Sequence, residues 1–162
     1  MADALTYVSR EFKPSVLVDA ATLTGAAITA LGEQYTAAFV EDENLWQALK
    51  SAGEAEFDPF WRMPLDDRYL QSIDGGYADL VNRGLPAGAC TAAIFLKQFV
   101  EGLEDRAKGI PATIRYAHLD IAGPMEAFSS SAYQDKGRMS GRPVRALIEF
   151  ARRLATKHGW PQ

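Results

Sequence analysis

The sequence predicts an α/β sandwich, in which helices cover both faces of a β-sheet. Segments with helical periodicity alternate with short β-rich segments along a chain of 162 residues. One β-rich segment, VLVDA at 16–20, is a continuous apolar run, which is typical of a parallel strand covered on both faces. No repeat, low-complexity tract or linker interrupts this alternation, so a single domain is expected.

A helix is predicted at the start of the chain, over 2–12. Leu5, Val8 and Phe12 recur there at i, i+3 and i+7, and Pro14 ends the pattern. The pattern begins almost at Met1 with little chain before it, whereas domains usually start with a few dispensable residues. We therefore expect that the chain was cut within a longer domain.

Two strands and two helices are predicted in the next part of the chain. The strand at 16–20 leads into a helix over Thr24–Leu31, and a second strand covers Tyr35–Glu41. A further helix covers 44–57, where Asn44 is the expected cap with Gln47 three residues later. Gly32 is expected to close the first of these helices. The inward side of the second is predicted to carry Leu45, Ala48, Leu49 and Ala52.

The second half of the chain is predicted to contain two helices, one strand and two loops. The range 61–82 is predicted to be mostly loop, and a helix that begins with small residues is predicted over 87–103. A third strand is predicted over 112–123. A polar loop over 128–141 leads to a last helix that begins at Pro143. That helix is predicted to bury Val144, Leu147, Ile148, Ala151 and Leu154. Three strands make a thin sheet for so apolar a core, so further strands are expected beside them.

Composition excludes several classes of protein. The formal charge of −4 offers no basic patch for nucleic acid. No apolar run approaches the roughly 20 residues that span a bilayer, and no secretion signal opens the chain. Cys90 is the only cysteine, which excludes a disulfide within the chain and makes a reducing, cytoplasmic location the expectation.

The first strand ends in a turn that resembles a ligand site, ATLTG at 21–25. Thr22 and Thr24 carry hydroxyl groups, but no base for a threonine nucleophile stands beside them, and Thr24 is interpreted as a helix cap. The backbone groups of Thr22, Leu23 and Gly25 could face a crevice, because ligands lie beyond the carboxyl ends of strands in open α/β sheets. A pocket wall and a plain turn are equally consistent with this spacing.

The third strand ends in AHLDIAGPM and offers the second half of the candidate site. His118 and Asp120 share one face of the strand and could bind a metal, but only His158 could join them, and a buried hydrogen-bonded pair is favoured. Ala122 and Met125 follow the strand and are suited to an apolar pocket.

The remaining polar residues favour structural roles. Cys90 lies in an apolar helix and is interpreted as a buried structural thiol, and Asp19 as a hydrogen-bonding residue near the end of its strand. A solvated turn is expected at Asp66, Asp67 and Arg68. A basic cluster around the start of the last helix consists of Lys136, Arg138, Arg142 and Arg145. It could bind an anion, but a solvated loop is the preferred interpretation.

Six motifs resemble the leucyl (cytosol) aminopeptidase family in order and approximate spacing. They are VDAATLTGA, WRMPL, ADLVN, AGACTAAIFLKQFV, AHLDIAG and KGRMSGRPVRALIEF, and the resemblance extends over Ala2–Leu154. It implies a three-layer α/β/α sandwich with a mixed, largely parallel sheet, of which 1–162 is the C-terminal portion of the catalytic domain. It also implies a metallo-aminopeptidase that releases leucine-like N-terminal residues from peptides with two divalent ions, zinc or manganese, and assembles as a homohexamer.

The resemblance further implies which residues bind substrate. Thr22 and Leu23 match positions that contact the substrate main chain, and Thr22, Gly25, Ala122 and Met125 match positions that line the pocket for its first side chain. The family signature with two acidic metal ligands and the arginine that holds a bicarbonate base lies just upstream of the matched region, and further ligands and two lysines precede it. The chain is therefore expected to lack the metal ligands and catalytic residues and to be inactive alone.

Two departures and two alternatives accompany the resemblance. Gly75 stands where the family usually has serine, and NRGLPAGAC at 82–90 is shorter than common forms, so substrate preference and assembly could differ. The alternative functions are a non-catalytic assembly scaffold and a peptide-binding domain with the same fold.

Overall fold

The computed structural model describes residues 1–103, 109–130 and 135–156. It contains five α-helices and four strands within those ranges. The helices are α1 Ala2–Glu11, α2 Gly25–Leu31, α3 Glu43–Ala55, α4 Gly88–Lys97 and α5 Val144–Ala155. The strands are β1 Val16–Ala21, β2 Thr36–Val40, β3 Phe60–Met63 and β4 Arg115–Asp120.

The four strands form one mixed sheet in the order β1-β4-β2-β3. β1 is parallel to β4, β2 is parallel to β3, and β2 and β4 are antiparallel. The predicted mixed, largely parallel sheet is confirmed. The expectation that β1 is covered on both faces is only partly met, because β1 lies at an edge of the described sheet and Ala20 is exposed.

Two apolar clusters fill the space on either side of the sheet and define the three layers. One cluster joins α1, α2 and α4 to the sheet and includes Leu5, Phe39 and Ile94. The other joins α3 and α5 to the opposite face and includes Leu49 and Phe150. Successive residues of β2 alternate between the two clusters, which is the period-two geometry of a strand buried on both faces.

β3 was not predicted, because the range 61–82 was interpreted as mostly loop. Phe60–Met63 nevertheless pairs with β2 along its whole length. Pro59 and Pro64 flank this short strand, and its position at a sheet edge is where flanking prolines are tolerated. A 3-10 helix, Asp67–Ser72, follows it.

The helices differ from their predictions mainly at the ends. Asp42, not Asn44, caps α3: its carboxylate accepts a hydrogen bond from the Leu45 backbone N–H at 2.7 Å. α4 ends at Lys97 instead of continuing to 103, because the following residues form i→i−3 hydrogen bonds that tighten the chain. The predicted inward side of α3 is confirmed, since all four residues are buried.

The last helix presents a different face to the core from the one predicted. Ala146 and Phe150 are its buried residues, whereas Val144 and Ile148 are 54% and 56% exposed. The periodicity is helical in both cases, but the contact with α3 selects the stripe centred on Phe150. Ala151 is also exposed, while Leu147 and Leu154 are partly buried as expected.

Candidate functional site

The ends of β1 and β4 bring the two predicted halves of the site together. In the parallel register Ala21 lies beside Asp120, and the Ile121 N–H donates to the Ala21 carbonyl at 2.9 Å. The turn at 22–25 and the loop at 122–125 therefore leave the same edge of the sheet. This is the edge at which open α/β folds bind ligands.

The five predicted substrate-binding residues differ in exposure. Thr22 and Gly25 are exposed, and Leu23 and Met125 are half-buried. A Cβ placed on Gly25 would meet nothing within 4 Å, so the position borders open space. Ala122 is only 4% exposed, so its side chain is nearly inaccessible to a ligand in this structure.

A buried carboxylate, Asp120, connects the two halves of the site. Its Oδ1 accepts hydrogen bonds from the backbone N–H groups of Leu23 and Ala122, both at 3.1 Å. Its Oδ2 accepts the hydroxyl proton of Thr24 at 2.7 Å. The residue is 1% exposed, so these bonds replace the water that a buried carboxylate would otherwise need.

Thr24 is the helix cap that the sequence predicts. Its Oγ1 accepts from the Ala27 backbone N–H at 3.0 Å, at the start of α2. Its single hydroxyl proton points to Asp120. The contact resembles a nucleophile beside a base, but the hydroxyl oxygen is already engaged by the first turn of the helix, so the geometry is that of a cap.

His118 is buried as predicted, but its partner is Asp19 and not Asp120. The His118 Nδ1 lies 2.8 Å from Asp19 Oδ1, and the Tyr116 hydroxyl donates to Asp19 Oδ2 at 2.8 Å. Burial and the adjacent carboxylate both raise the pKa of Tyr116, which keeps the phenol protonated as the donor. The ring of His118 stacks on Phe39 in the core. The prediction that Asp19 forms hydrogen bonds within its strand region is confirmed.

The donors in the described residues do not match a two-metal centre. No group of three or more histidine, cysteine or carboxylate side chains that could hold an ion occurs within 1–103, 109–130 and 135–156. Asp19 and His118 bind each other, and Asp120 binds the turn. His158, which the sequence offered as a third ligand, lies outside the described residues.

Cys90 has no catalytic environment. It is 6% exposed in α4, and burial raises the pKa of its thiol, which disfavours the reactive thiolate. The small residues around it serve packing, because α2 approaches α4 closely: a Cβ on Gly88 would lie 3.3 Å from the Ala26 Cβ. The interpretation of a structural cysteine is confirmed.

The basic cluster divides into exposed and buried members. Lys136 and Arg138 are exposed, as expected for a solvated loop. The side chain of Arg142 is only 12% exposed: it donates to Asp58 Oδ1 at 2.5 Å and to the carbonyls of Glu33 and Gln34. Arg142 therefore joins three separate segments, and its donors are committed to the protein.

A cavity of about 580 Å³ lies beside this arginine. Both charge signs line it, since Glu33 and Glu54 face it together with Arg142 and Arg145. An anion would meet carboxylates there as well as guanidinium groups, so the lining does not favour the anion site considered from the sequence. The predicted turn at 66–68 is confirmed in outline: Asp66 accepts from the Arg68 backbone N–H and starts the 3-10 helix.

Two arrangements near the site were missed by sequence reasoning. One is the set of hydrogen bonds around Asp120, and the other is the Arg142–Asp58 pair. The period of two placed Asp120 correctly on its face of β4, but two of its three hydrogen-bond partners, Leu23 and Thr24, lie almost 100 residues earlier in the chain. The sequence signal for this role is an aspartate at a strand end three residues before a glycine, Asp120 before Gly123, and this signal does not identify the hydrogen-bond partners.

No helix among the described residues has both the length and the apolar character needed to cross a bilayer.

Comparison with known proteins covers nearly the whole chain. A family model described as "Cytosol aminopeptidase family, catalytic domain" matches residues 1–148. A probable cytosol aminopeptidase of Methylibium petroleiphilum is 48% identical over 151 residues, which are 93% of this chain and 28% of that protein. One from Bordetella petrii is 46% identical over 151 residues, 93% of this chain and 27% of that protein. The chain spans little more than a quarter of the length of these relatives.

A solved structure confirms the fold. A mutant of tomato leucine aminopeptidase superimposes with a TM-score of 0.77 at 36% sequence identity, and the match covers 92% of this chain and 26% of that chain. The α/β architecture and the family resemblance of the six motifs are thus supported by both sequence and structure.

Proposed function

Because the chain belongs to the cytosol aminopeptidase family, we propose that it forms the substrate-pocket wall of a metallo-aminopeptidase. That enzyme would release leucine-like residues from the N-termini of peptides by two-metal hydrolysis. The supporting observation is the meeting of the β1 and β4 ends, with Gly25 bordering open space in the turn after β1 and Met125 half-buried in the loop after β4.

The proposed contacts follow from the chemistry of each group. Thr22 and Leu23 bind the main chain of the substrate, while Thr22, Gly25 and Met125 contact its first side chain. Ala122, which is 4% exposed, is proposed to lie beneath that pocket without direct access to the substrate. The Leu23 N–H is already bound to Asp120, so a main-chain contact at this residue is made by its carbonyl oxygen, which accepts a substrate N–H. Gly25 has no side chain of its own and so leaves room for the first side chain of the substrate. The flexible thioether of Met125 can adapt to the shape of that side chain.

The metal chemistry belongs to residues outside this wall. The divalent ions, zinc or manganese, would supply a Lewis acid and an activated water, and the described carboxylates and histidine are committed elsewhere. We therefore expect the chain to be inactive by itself. Action in the cytosol and assembly as a homohexamer are parts of the same proposal, in line with the names of the relatives and with the family resemblance respectively.

Binding of L-leucinamide, followed by calorimetry, tests the pocket. Gly25→Leu should abolish the heat of binding by filling the open space, without loss of thermal stability, because a side chain there meets no neighbour. Ala30→Leu is the matched control, since it makes a comparable addition at an exposed position of the same helix, α2. Absence of binding to the unsubstituted chain, or equal loss in both variants, would contradict the pocket.

Hydrolysis of leucine p-nitroanilide with added Mn²⁺ or Zn²⁺ tests the second part of the proposal. We expect turnover far below about 1 per second, the lower end of ordinary enzyme rates. Turnover at or above that rate would show that the chain contains a working metal centre.

A further inference from the structure

Asp120 lies where the two halves of the candidate site must be held in register. β1 and β4 pair as parallel strands as far as Ala21 and Asp120, and beyond that point the chain continues as the 22–25 turn after β1 and the 122–125 loop after β4. Beyond that point the Asp120 side chain supplies bonds to both: to Leu23 and Thr24 on one side and to Ala122 on the other.

We infer that Asp120 is a positioning residue of the proposed peptidase site. Its carboxylate fixes the turn after β1 against the loop after β4, and thereby sets the separation between Gly25 and Met125. It acts through the backbone and does not itself touch substrate. This role rests on the proposed function, because the pocket it shapes is the one proposed for the first side chain of a peptide.

The carboxylate also determines which backbone groups the turn can offer. By binding the Leu23 N–H and the Thr24 hydroxyl proton, it removes two hydrogen-bond donors that lie beside the proposed substrate contacts. What Leu23 can still present is a carbonyl oxygen, which is an acceptor. Through Asp120, Leu23 is therefore left able to accept a substrate N–H but not to donate to a substrate carbonyl.

The arrangement is more than a means of satisfying one buried charge. Asp19, on the neighbouring strand, is a second buried carboxylate, 8% exposed, and its partners among the described residues are two side chains of the sheet, those of Tyr116 and His118. Asp120 instead binds two backbone N–H groups and a capping hydroxyl at the point where both strands end. Hydrogen bonds to a charged group are stronger than neutral ones, so they hold this geometry firmly.

The test compares Asp120→Asn with Asp19→Asn in the ¹⁵N-labelled chain. Both substitutions remove a buried charge and should lower thermal stability. Only Asp120→Asn should accelerate hydrogen exchange at the Leu23 and Ala122 amides, by about tenfold, the size expected when a hydrogen bond to a charged group is weakened. It should likewise weaken L-leucinamide binding by about tenfold, while Asp19→Asn leaves the affinity unchanged.

Equal loss of leucinamide affinity in the two variants, or unchanged exchange at Leu23 and Ala122 in Asp120→Asn, would overturn the positioning role. If the unsubstituted chain binds no leucinamide, the proposed function fails, and the exchange rates still decide whether Asp120 holds the turn. If Asp120→Asn does not fold, Thr24→Val replaces it and should accelerate amide exchange and weaken leucinamide binding by less than tenfold. Thr24→Ser keeps the hydroxyl, so its exchange rates and leucinamide affinity should equal those of the unsubstituted chain.

Discussion

Gly123 and Gly25 lie at the same edge of the sheet, and we predict that adding one methyl group strongly destabilises the fold at Gly123 and has little effect at Gly25. A Cβ on Gly123 would lie 2.1 Å from the carbonyl oxygen of Gly32, whereas a Cβ on Gly25 would meet nothing within 4 Å. The obstacle at Gly123 is backbone and cannot rotate away.

The expected cost of Gly123→Ala follows from this overlap. Ordinary contact at a Cβ is beyond 3.4 Å, so the loop after β4 and the loop after α2 must separate by more than 1 Å. Overpacking of a well-packed region costs about 3 kcal/mol at the upper end of the usual range. For a chain of this size that corresponds to a fall in Tm of about 6–12 °C. Gly25→Ala should change Tm by less than about 4 °C, since it adds a favourable helix former without a clash.

Circular dichroism melting of the three proteins measures the difference, with urea unfolding as a check if heating is irreversible. The two variants carry the same chemical change, so intrinsic preferences for alanine largely cancel. A Tm for Gly123→Ala within about 2 °C of that for Gly25→Ala would refute the steric reasoning. It would mean that the approach of Gly123 to Gly32 is looser than the structure shows.

Three further predictions concern the buried pair, an exposed pair and the thiol. Arg142→Met should lower the free energy of unfolding in urea by about 3–5 kcal/mol, because Asp58 is left as a buried unpaired charge. Adding Asp58→Asn to this variant should recover part of the loss. An unchanged free energy of unfolding in the single variant would contradict this. Arg68 lowers the pKa of Asp66 to about 2, below the ordinary 3.8, so the pair stabilises the fold above about pH 4 and the effect is lost as the pH falls toward 2. Acid titration of Asp66→Asn, which keeps the cap, should show a smaller loss over that window, and identical acid curves would count against the pair. Cys90 should resist an aromatic disulfide reagent until urea unfolds the chain, because it is 6% exposed with a raised pKa; rapid native labelling would show that α4 opens readily.

The features predicted correctly are those encoded by local pattern. The continuous apolar run of β1, the cap at Thr24 and the inward stripe of α3 depend on neighbours within one turn or one strand. The meeting of the two strand ends follows from parallel pairing, which the continuous apolar run of β1 indicated.

The features missed depend on partners far away in the sequence. β3 is four residues long between two prolines, and only its pairing with β2 makes it a strand. α5 has apolar residues on two stripes, and contact with α3 decides which is buried. The period of two places Asp120 on the correct face of β4. Whether its carboxylate binds His118 or the turn at Leu23, nearly 100 residues earlier in the chain, depends on tertiary structure.

The pairing of the first strand with the fourth has a consequence during synthesis. Asp19 and its partner His118 are 99 residues apart in the chain. At about 5–20 residues per second, the ribosome needs about 5–20 s to deliver the second after the first. Throughout that interval the nascent VLVDA run has neither its sheet neighbour nor the ring that binds its aspartate. The run is therefore exposed to association with other unfolded segments until β4 has been synthesised.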